Sequence, residues 1–231
     1  MARKKQFNVG NKMRHLIANT NPRSPISEQY RTVRTNLQFA SVDNEITSML
    51  LTSAGPAEGK SMTTANLAVV YAQQGKKVLL VDADLRKPTI HYTFRLDNLR
   101  GLSNILVGET TLEETAETSG ITNLDIISCG PIPPNPSELL GSRRMQALVE
   151  ATKQKYDLVI FDMPPVLAVT DAKILANYVD GAILVVRSKK TENDAAKQAL
   201  EALESVHANV LGVVLNDRDK KEANYYYYYG S

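Results

Sequence analysis

Residues 54–64 read Ala-Gly-Pro-Ala-Glu-Gly-Lys-Ser-Met-Thr-Thr, and this string holds the residue types that phosphate chemistry requires. In such a turn Gly55, Pro56, Ala57, Glu58, Gly59, Lys60, Ser61 and Met62 form a concave nest whose successive backbone N–H groups take phosphate oxygens. Lys60 then reaches the β- and γ-phosphates of a nucleotide, and the Ser61 hydroxyl ligates Mg²⁺. The flanks agree: the apolar run Met49-Leu50-Leu51 leads in, and a helical pattern over 63–74 leads out with its positive end aimed at the nest. One position departs from the usual pattern, which opens with Gly six residues before the Lys; here that residue is Ala54, with Gly55 next to it.

Carboxylates supply what the loop lacks. Asp82 and Asp84 follow the apolar run Lys77-Val78-Leu79-Leu80-Val81, and Asp162 ends the run that starts at Asp157. In an open parallel sheet, ligands gather beyond the C-terminal ends of the strands, so all three acids belong near the phosphate loop. Two carboxylates after one strand suit a metal ion and a proton acceptor. A carboxylate buried at a strand end without a partner is costly, which favours a metal role for Asp162 over a helix-capping one.

The elements that must position these groups are legible as short apolar strands at 47–53, 77–81, 124–127, 157–162, 182–187 and 209–216. Helices are expected over 63–74, with Gly75 as its C-cap, and over 194–206, with Ala196, Leu200, Leu203 and Val206 inward. These elements predict a P-loop NTPase-like α/β fold, a mostly parallel central sheet with helices on both faces. Residues 88–120 read as short helices around Gly101 without assignable chemistry. The stretch 129–136 holds four prolines, either lining the nucleotide pocket or simply turning the chain into a helix near Ser137.

Three segments organise the chain. Residues 1–26 form a basic arm with Arg3, Lys4, Lys5, Lys12, Arg14 and Arg23 and no acid; it either meets anionic lipid or a membrane partner, or is solvated. Residues 27–216 form the P-loop domain. It opens with a helix over 27–41, with Ser27 as N-cap, Ile26, Tyr30, Val33, Leu37 and Ala40 facing the body, and Glu28, Arg31 and Arg34 on the other side. Residues 217–231 form a tail in which Tyr225, Tyr226, Tyr227, Tyr228 and Tyr229 are consecutive. Adjacent residues point in different directions, so one core cannot take all five; they are either phosphate acceptors or an aromatic tail that stacks on a neighbour.

Composition excludes several classes. With 27 Lys and Arg against 25 Asp and Glu, the net charge is too small for bulk nucleic-acid binding. One cysteine, Cys129, permits no intramolecular disulfide and fits a reducing cytoplasm. No apolar run approaches the length of a membrane span.

Taken together, Ala54 to Ser61, Val81-Asp82-Ala83-Asp84-Leu85-Arg86 and Ile160-Phe161-Asp162 resemble the Walker A, Walker A′ and Walker B motifs of the bacterial tyrosine kinases called BY-kinases. Glu28-x-x-Arg31-x-x-Arg34 resembles the helix through which that family's subunits assemble, and the terminal tyrosine cluster matches as well. The resemblance is greatest to the Firmicute arrangement, a separate cytoplasmic kinase recruited to the membrane and activated by a transmembrane adaptor in capsule or exopolysaccharide synthesis. It implies ATP and Mg²⁺ as cofactors, a ring-shaped homo-oligomer (an octamer), and phosphorylation in trans of the tyrosine tail. Protein substrates such as enzymes of sugar-nucleotide synthesis are implied too. By the same match Lys60 clamps phosphate, Ser61, Asp84 and Asp162 serve the metal, and Asp82 takes the tyrosine proton, although the roles of Asp82 and Asp84 could be exchanged without contradicting any residue. Two other readings share the loop. A partitioning or division-site ATPase switch would carry an extra Lys five positions before Lys60, where this chain has Gly55, and would lack the tail. A non-catalytic ATP-sensing assembly module would bind nucleotide and transfer nothing.

Overall fold

The computed structural model describes residues 16–40 and 45–218. In chain order the elements are α1 (Ile17–Thr20), α2 (Pro25–Ala40), β1 (Ser48–Ser53), α3 (Lys60–Gln73), β2 (Val78–Asp82), α4 (Ile90–Phe94), α5 (Leu102–Val107), α6 (Leu112–Thr115) and β3 (Glu117–Thr118). They continue with β4 (Leu124–Ile127), α7 (Pro136–Leu140), α8 (Arg143–Lys153), β5 (Leu158–Asp162), α9 (Asp171–Leu175), β6 (Gly181–Arg187), α10 (Asn193–Glu204) and β7 (Val210–Asn216).

The strands lie in the order β3-β4-β2-β5-β1-β6-β7. Every pairing is parallel except that of β3 with β4. β1, β2 and β5 are buried along their whole length, which is why Met49–Leu51, Val78–Val81 and Leu158–Phe161 are continuous apolar runs rather than alternating ones. Successive side chains enter opposite layers. Leu79, Val81, Val159 and Phe161 pack with Met145, Val149 and Leu175 on one face; Leu80, Ile160, Met49 and Leu51 pack with Leu67, Val70 and Tyr71 of α3 on the other. The expected α/β architecture, with helices on both faces, is present.

Local differences have local causes. The helix expected from Ser27 begins at Pro25, a residue whose missing N–H suits a first helical position. Ser24 caps it: its hydroxyl accepts from the Ser27 N–H at 3.1 Å. Ser27 is buried instead, donating to the carbonyls of Ile17 at 3.1 Å and Asn21 at 2.7 Å. The folded body thus reaches back to Leu16, not to residue 27. Ala18 is fully buried and donates its N–H to Asn66 Oδ1 of α3 at 3.0 Å, so residues 16–26 are not part of a free arm. On α2, Tyr30, Val33 and Leu37 face the core, whereas Ile26 and Ala40 are exposed. On α10 the fully buried positions are Ala199 and Leu203, with Ala196, Leu200 and Val206 around them. In the proline-rich stretch Cys129 and Gly130 bond to Ser103 and Asn98, and Pro136 starts α7.

Candidate functional site

The phosphate loop runs from the end of β1 to the start of α3, and its backbone conformation explains its composition. Gly59, directly before α3, sits at φ +90°, a region closed to most side chains, and an added Cβ would lie 2.0 Å from Asn216 Nδ2. Ala57 also has a positive φ, +60°. Alternation of this kind turns consecutive N–H groups toward one point, which makes an anion nest. The side chain of Glu58, whose N–H belongs to the expected nest, is turned inward. The residue is only 5 % exposed, and its carboxylate turns back into the loop and accepts from the Ala54 N–H at 3.0 Å and the Thr191 hydroxyl at 2.7 Å.

Register brings the acids together. Asp82 and Asp162 are direct neighbours across the β2–β5 pair, and Asp162 also pairs with Leu51 of β1, the strand that feeds the loop. Asp84 follows two residues beyond β2. Lys60 reaches into this group, with Nζ 2.9 Å from Asp84 Oδ2, 3.5 Å from Asp162 Oδ1 and 3.3 Å from the Ser61 hydroxyl. Burial alone would depress the Lys60 ammonium, but Asp162 and Asp84 outweigh it and hold its pKa above the ordinary value.

The three carboxylates are not equivalent. Asp84 is saturated: Oδ2 takes Lys60, and Oδ1 accepts from the Lys87 N–H at 3.0 Å and the Arg86 N–H at 3.4 Å. Asp82 Oδ2 accepts from the N–H groups of Thr89 and Ile90, both at 2.9 Å, while its buried Oδ1 has no partner. Asp162 Oδ1 accepts from Thr64 at 3.3 Å, and its buried Oδ2 is likewise unpartnered. Burial, with the neighbouring charge of Asp162, pushes Asp82 up to about 7. Burial also raises Asp162, against the pull of Lys60. Orphaned buried carboxylate oxygens cost free energy unless something occupies them. Mg²⁺ fits this donor set, since it binds through one or two carboxylates and completes its shell with water and phosphate oxygens. Among the described residues no three His, Cys, Asp or Glu side chains form a cage that would hold a metal unaided.

Lys60, Ser61, Asp82, Asp84 and Asp162, proposed separately from sequence, therefore meet at one place. Glu28, Arg31 and Arg34 do not join them. Arg31 pairs with Glu28 on the exposed side of α2, and Arg34 donates to the Val70 carbonyl of α3 at 2.8 Å. Tyr225 to Tyr229 lie outside the described residues. Sequence reasoning missed several partners. Thr64 donates to Asp162; Asp171 receives Arg86 through Nε at 2.9 Å and Nη2 at 3.0 Å, which holds the segment after Asp84 against α9; Arg187, Thr191 and Asn216 contact the loop from the far end of the sheet.

Comparison with known proteins agrees with this geometry. A family model described as an AAA domain matches residues 54–214. The chain is 52 % identical over 225 residues to the tyrosine-protein kinase YwqD of Bacillus subtilis (strain 168), covering 97 % of this chain and 95 % of that one. It is 42 % identical to the putative tyrosine-protein kinase CapB of Staphylococcus aureus, covering 93 % and 95 %. Among solved structures, the chimerical protein CapA2B2 superposes with a TM-score of 0.86 at 44 % identity, over 89 % of this chain and 90 % of that one. The septum site-determining protein MinD from Pyrococcus horikoshii, at 24 % identity and a TM-score of 0.64 over 76 % of this chain and 72 % of its own, shares the fold alone. A phosphate loop, two acid-tipped central strands and matches of this extent lead to one assignment: the chain belongs to the bacterial tyrosine-protein kinase family, on a P-loop NTPase fold.

Proposed function

We propose that this chain transfers the γ-phosphoryl group of ATP to tyrosine, including the cluster Tyr225 to Tyr229 on another copy of itself, and that it serves capsule or exopolysaccharide synthesis. One observation carries the reading: a buried Asp82 carboxyl whose Oδ1 has no partner, pushed up to about 7 by burial and the charge of Asp162, stands beside the Lys60, Asp84 and Asp162 cluster. Phosphoryl transfer needs positioning, charge stabilisation and an acceptor for the hydroxyl proton. A phenol of pKa near 10 requires that acceptor at neutral pH, and a base close to neutrality is the efficient choice.

In this mechanism the nest N–H groups bind the phosphates. Lys60 leaves Asp84 and turns to the β- and γ-oxygens, which frees Asp84 Oδ2. Asp162, Asp84 and the Ser61 hydroxyl would hold Mg²⁺, whose charge would offset that of the transferred group's oxygens. Asp82 Oδ1 takes the tyrosine proton, while the N–H groups of Thr89 and Ile90 fix its other oxygen. Glu28, Arg31 and Arg34 are the proposed contact of a ring-shaped homo-oligomer that presents one tail to the next site. The proposed activator is a transmembrane adaptor, and sugar-nucleotide-synthesis enzymes are proposed substrates; among the described residues no helix is long and apolar enough to cross a membrane.

Mass spectrometry of the C-terminal peptide after incubation with Mg·ATP tests the reading. Phosphate on Tyr225 to Tyr229 in the wild type and not in Lys60→Met is the expected result. A bare tail accompanied by release of free phosphate would replace the kinase by an ATP-hydrolysing switch.

A further inference from the structure

A nest that aims its N–H groups at phosphate must turn its carbonyls away, and those outward carbonyls need partners of their own. Here the partners of three of them can be named. Gly55 O accepts from the Ser53 hydroxyl at 2.8 Å, within the loop's own strand. Ala57 O accepts from Arg187 Nη1 at 3.3 Å, and Glu58 O from Asn216 Nδ2 at 2.9 Å. The donors to Ala57 and Glu58 come from the ends of β6 and β7, more than a hundred residues away along the chain.

These donors are themselves held. Arg187 is gripped by Asp217 through Nε at 2.8 Å and Nη2 at 2.6 Å. Its N–H donates to the Thr191 hydroxyl at 2.8 Å, and that hydroxyl donates to Glu58 Oε1 at 2.7 Å. The other Glu58 oxygen takes the Ala54 N–H, at the loop's first residue. Arg187, Thr191, Asn216 and Asp217 thus form a clasp on the outer side of the phosphate loop, touching its backbone and the one side chain that folds back into it.

We infer that Arg187, Thr191 and Asn216 are positioning residues for phosphate binding: they hold the loop carbonyls outward so that the N–H groups are pre-aimed before nucleotide arrives. The inference rests on the reading of residues 54–61 as the phosphate site and adds residues that no nucleotide-binding motif in the sequence points to. Preorganisation of this kind acts on affinity by removing an ordering cost.

The test uses a probe without a base. Binding of Mg·tripolyphosphate and of a non-hydrolysable Mg·ATP analogue is measured by calorimetry on the full chain, for the wild type, Asn216→Ala, Asn216→Asp and Thr191→Val. Loss of one such donor is expected to weaken both ligands by the same factor, about ten-fold. Asn216→Asp, which sets a carboxylate against the Glu58 carbonyl, should weaken them at least as much. Thr191→Val keeps the side chain's size and removes only the hydroxyl, so it reports even if the Asn216 variants fold poorly. Tripolyphosphate affinity unchanged in all variants would overturn the inference, and loss confined to the nucleotide analogue would make Asn216 a base contact instead. A wild type that fails to bind tripolyphosphate would overturn the phosphate-site reading itself, and with it the clasp.

Discussion

Replacing Lys60 by Met keeps the length of the side chain and most of its bulk but removes the ammonium that Asp84 and Asp162 share. The side chains of Lys60, Asp84 and Asp162 are 12, 6 and 0 % exposed, so water cannot take its place cheaply. Breaking a buried ion pair by removing one partner costs about 3–5 kcal/mol. In a chain of this size that corresponds to a fall in Tm of about 6–20 °C. The loss must also depend on pH. Asp82 and Asp162 already have raised pKa values, and without the ammonium they rise further. Between the ordinary carboxylate range and those raised values the folded state binds more protons than the unfolded one, so stability falls as pH rises. The deficit should therefore be full at about pH 8 and small at about pH 5. Scanning calorimetry in chelator across that range measures it, with transfer from γ-labelled ATP followed in parallel. A deficit equal at both ends of the range would refute the carboxylate account, and tyrosine phosphorylation at the wild-type rate would refute the phosphate role.

Asp82→Asn should lose transfer yet gain stability at high pH. Its carboxyl, held near 7 against an unfolded value near 4, costs the wild type up to about 4 kcal/mol above pH 7. Stranding an amide N–H offsets about half of that, and the remaining advantage should vanish by pH 5; a variant less stable at every pH would contradict the raised pKa. Arg31→Ala removes only an exposed pair with Glu28, so it should shrink the particle in sedimentation while leaving Tm within about 1–2 °C. An unchanged particle would remove α2 from the assembly. Arg34→Ala should shrink it too but also lower Tm, because Arg34 holds the Val70 carbonyl. At the opposite end of the sheet, Asp180 accepts from the Thr47 N–H, the Thr47 hydroxyl and the Ser48 N–H, and pairs with Lys153 at 2.8 Å. Partial burial opposes these contacts, yet Lys153 and Thr47 hold its carboxyl below the usual range. Asp180→Ala should cost about 2 kcal/mol at neutral pH. The gap should close as pH falls below about 4 and the wild type loses the same contribution; a gap that persists in acid would assign the cost to packing.

The central motifs were legible because each is local. A loop between an apolar run and a helix, and an acid at the end of an apolar run, are patterns of a few neighbouring residues, and sheet topology then brings Lys60, Asp82, Asp84 and Asp162 together without further information. What was not legible depends on distance along the chain. Arg187, Thr191 and Asn216 are ordinary polar residues in sequence and gain meaning only from the β1–β6–β7 order. Asp171 looks like a helix-start acid until Arg86 is seen against it. α1 is four residues without an apolar period, and β3 is two exposed ones, so neither leaves a signal. Ser27 was a plausible cap by type; Ser24, followed by Pro25, was the better one by the same rules.

The strand order has a consequence for synthesis. β1 and β2 leave the ribosome first, but they do not touch: β5 lies between them, with β6 on the far side of β1 and β4 on the far side of β2. Until Leu158–Asp162 has emerged, β1 has neither of its neighbours, and its Met49, Leu50 and Leu51 have nowhere native to go. A nascent chain stopped before that point carries a complete phosphate-loop sequence and no scaffold to shape it. Nucleotide can therefore stabilise only chains that extend past β5, and those terminated before it are natural clients for chaperones and proteases.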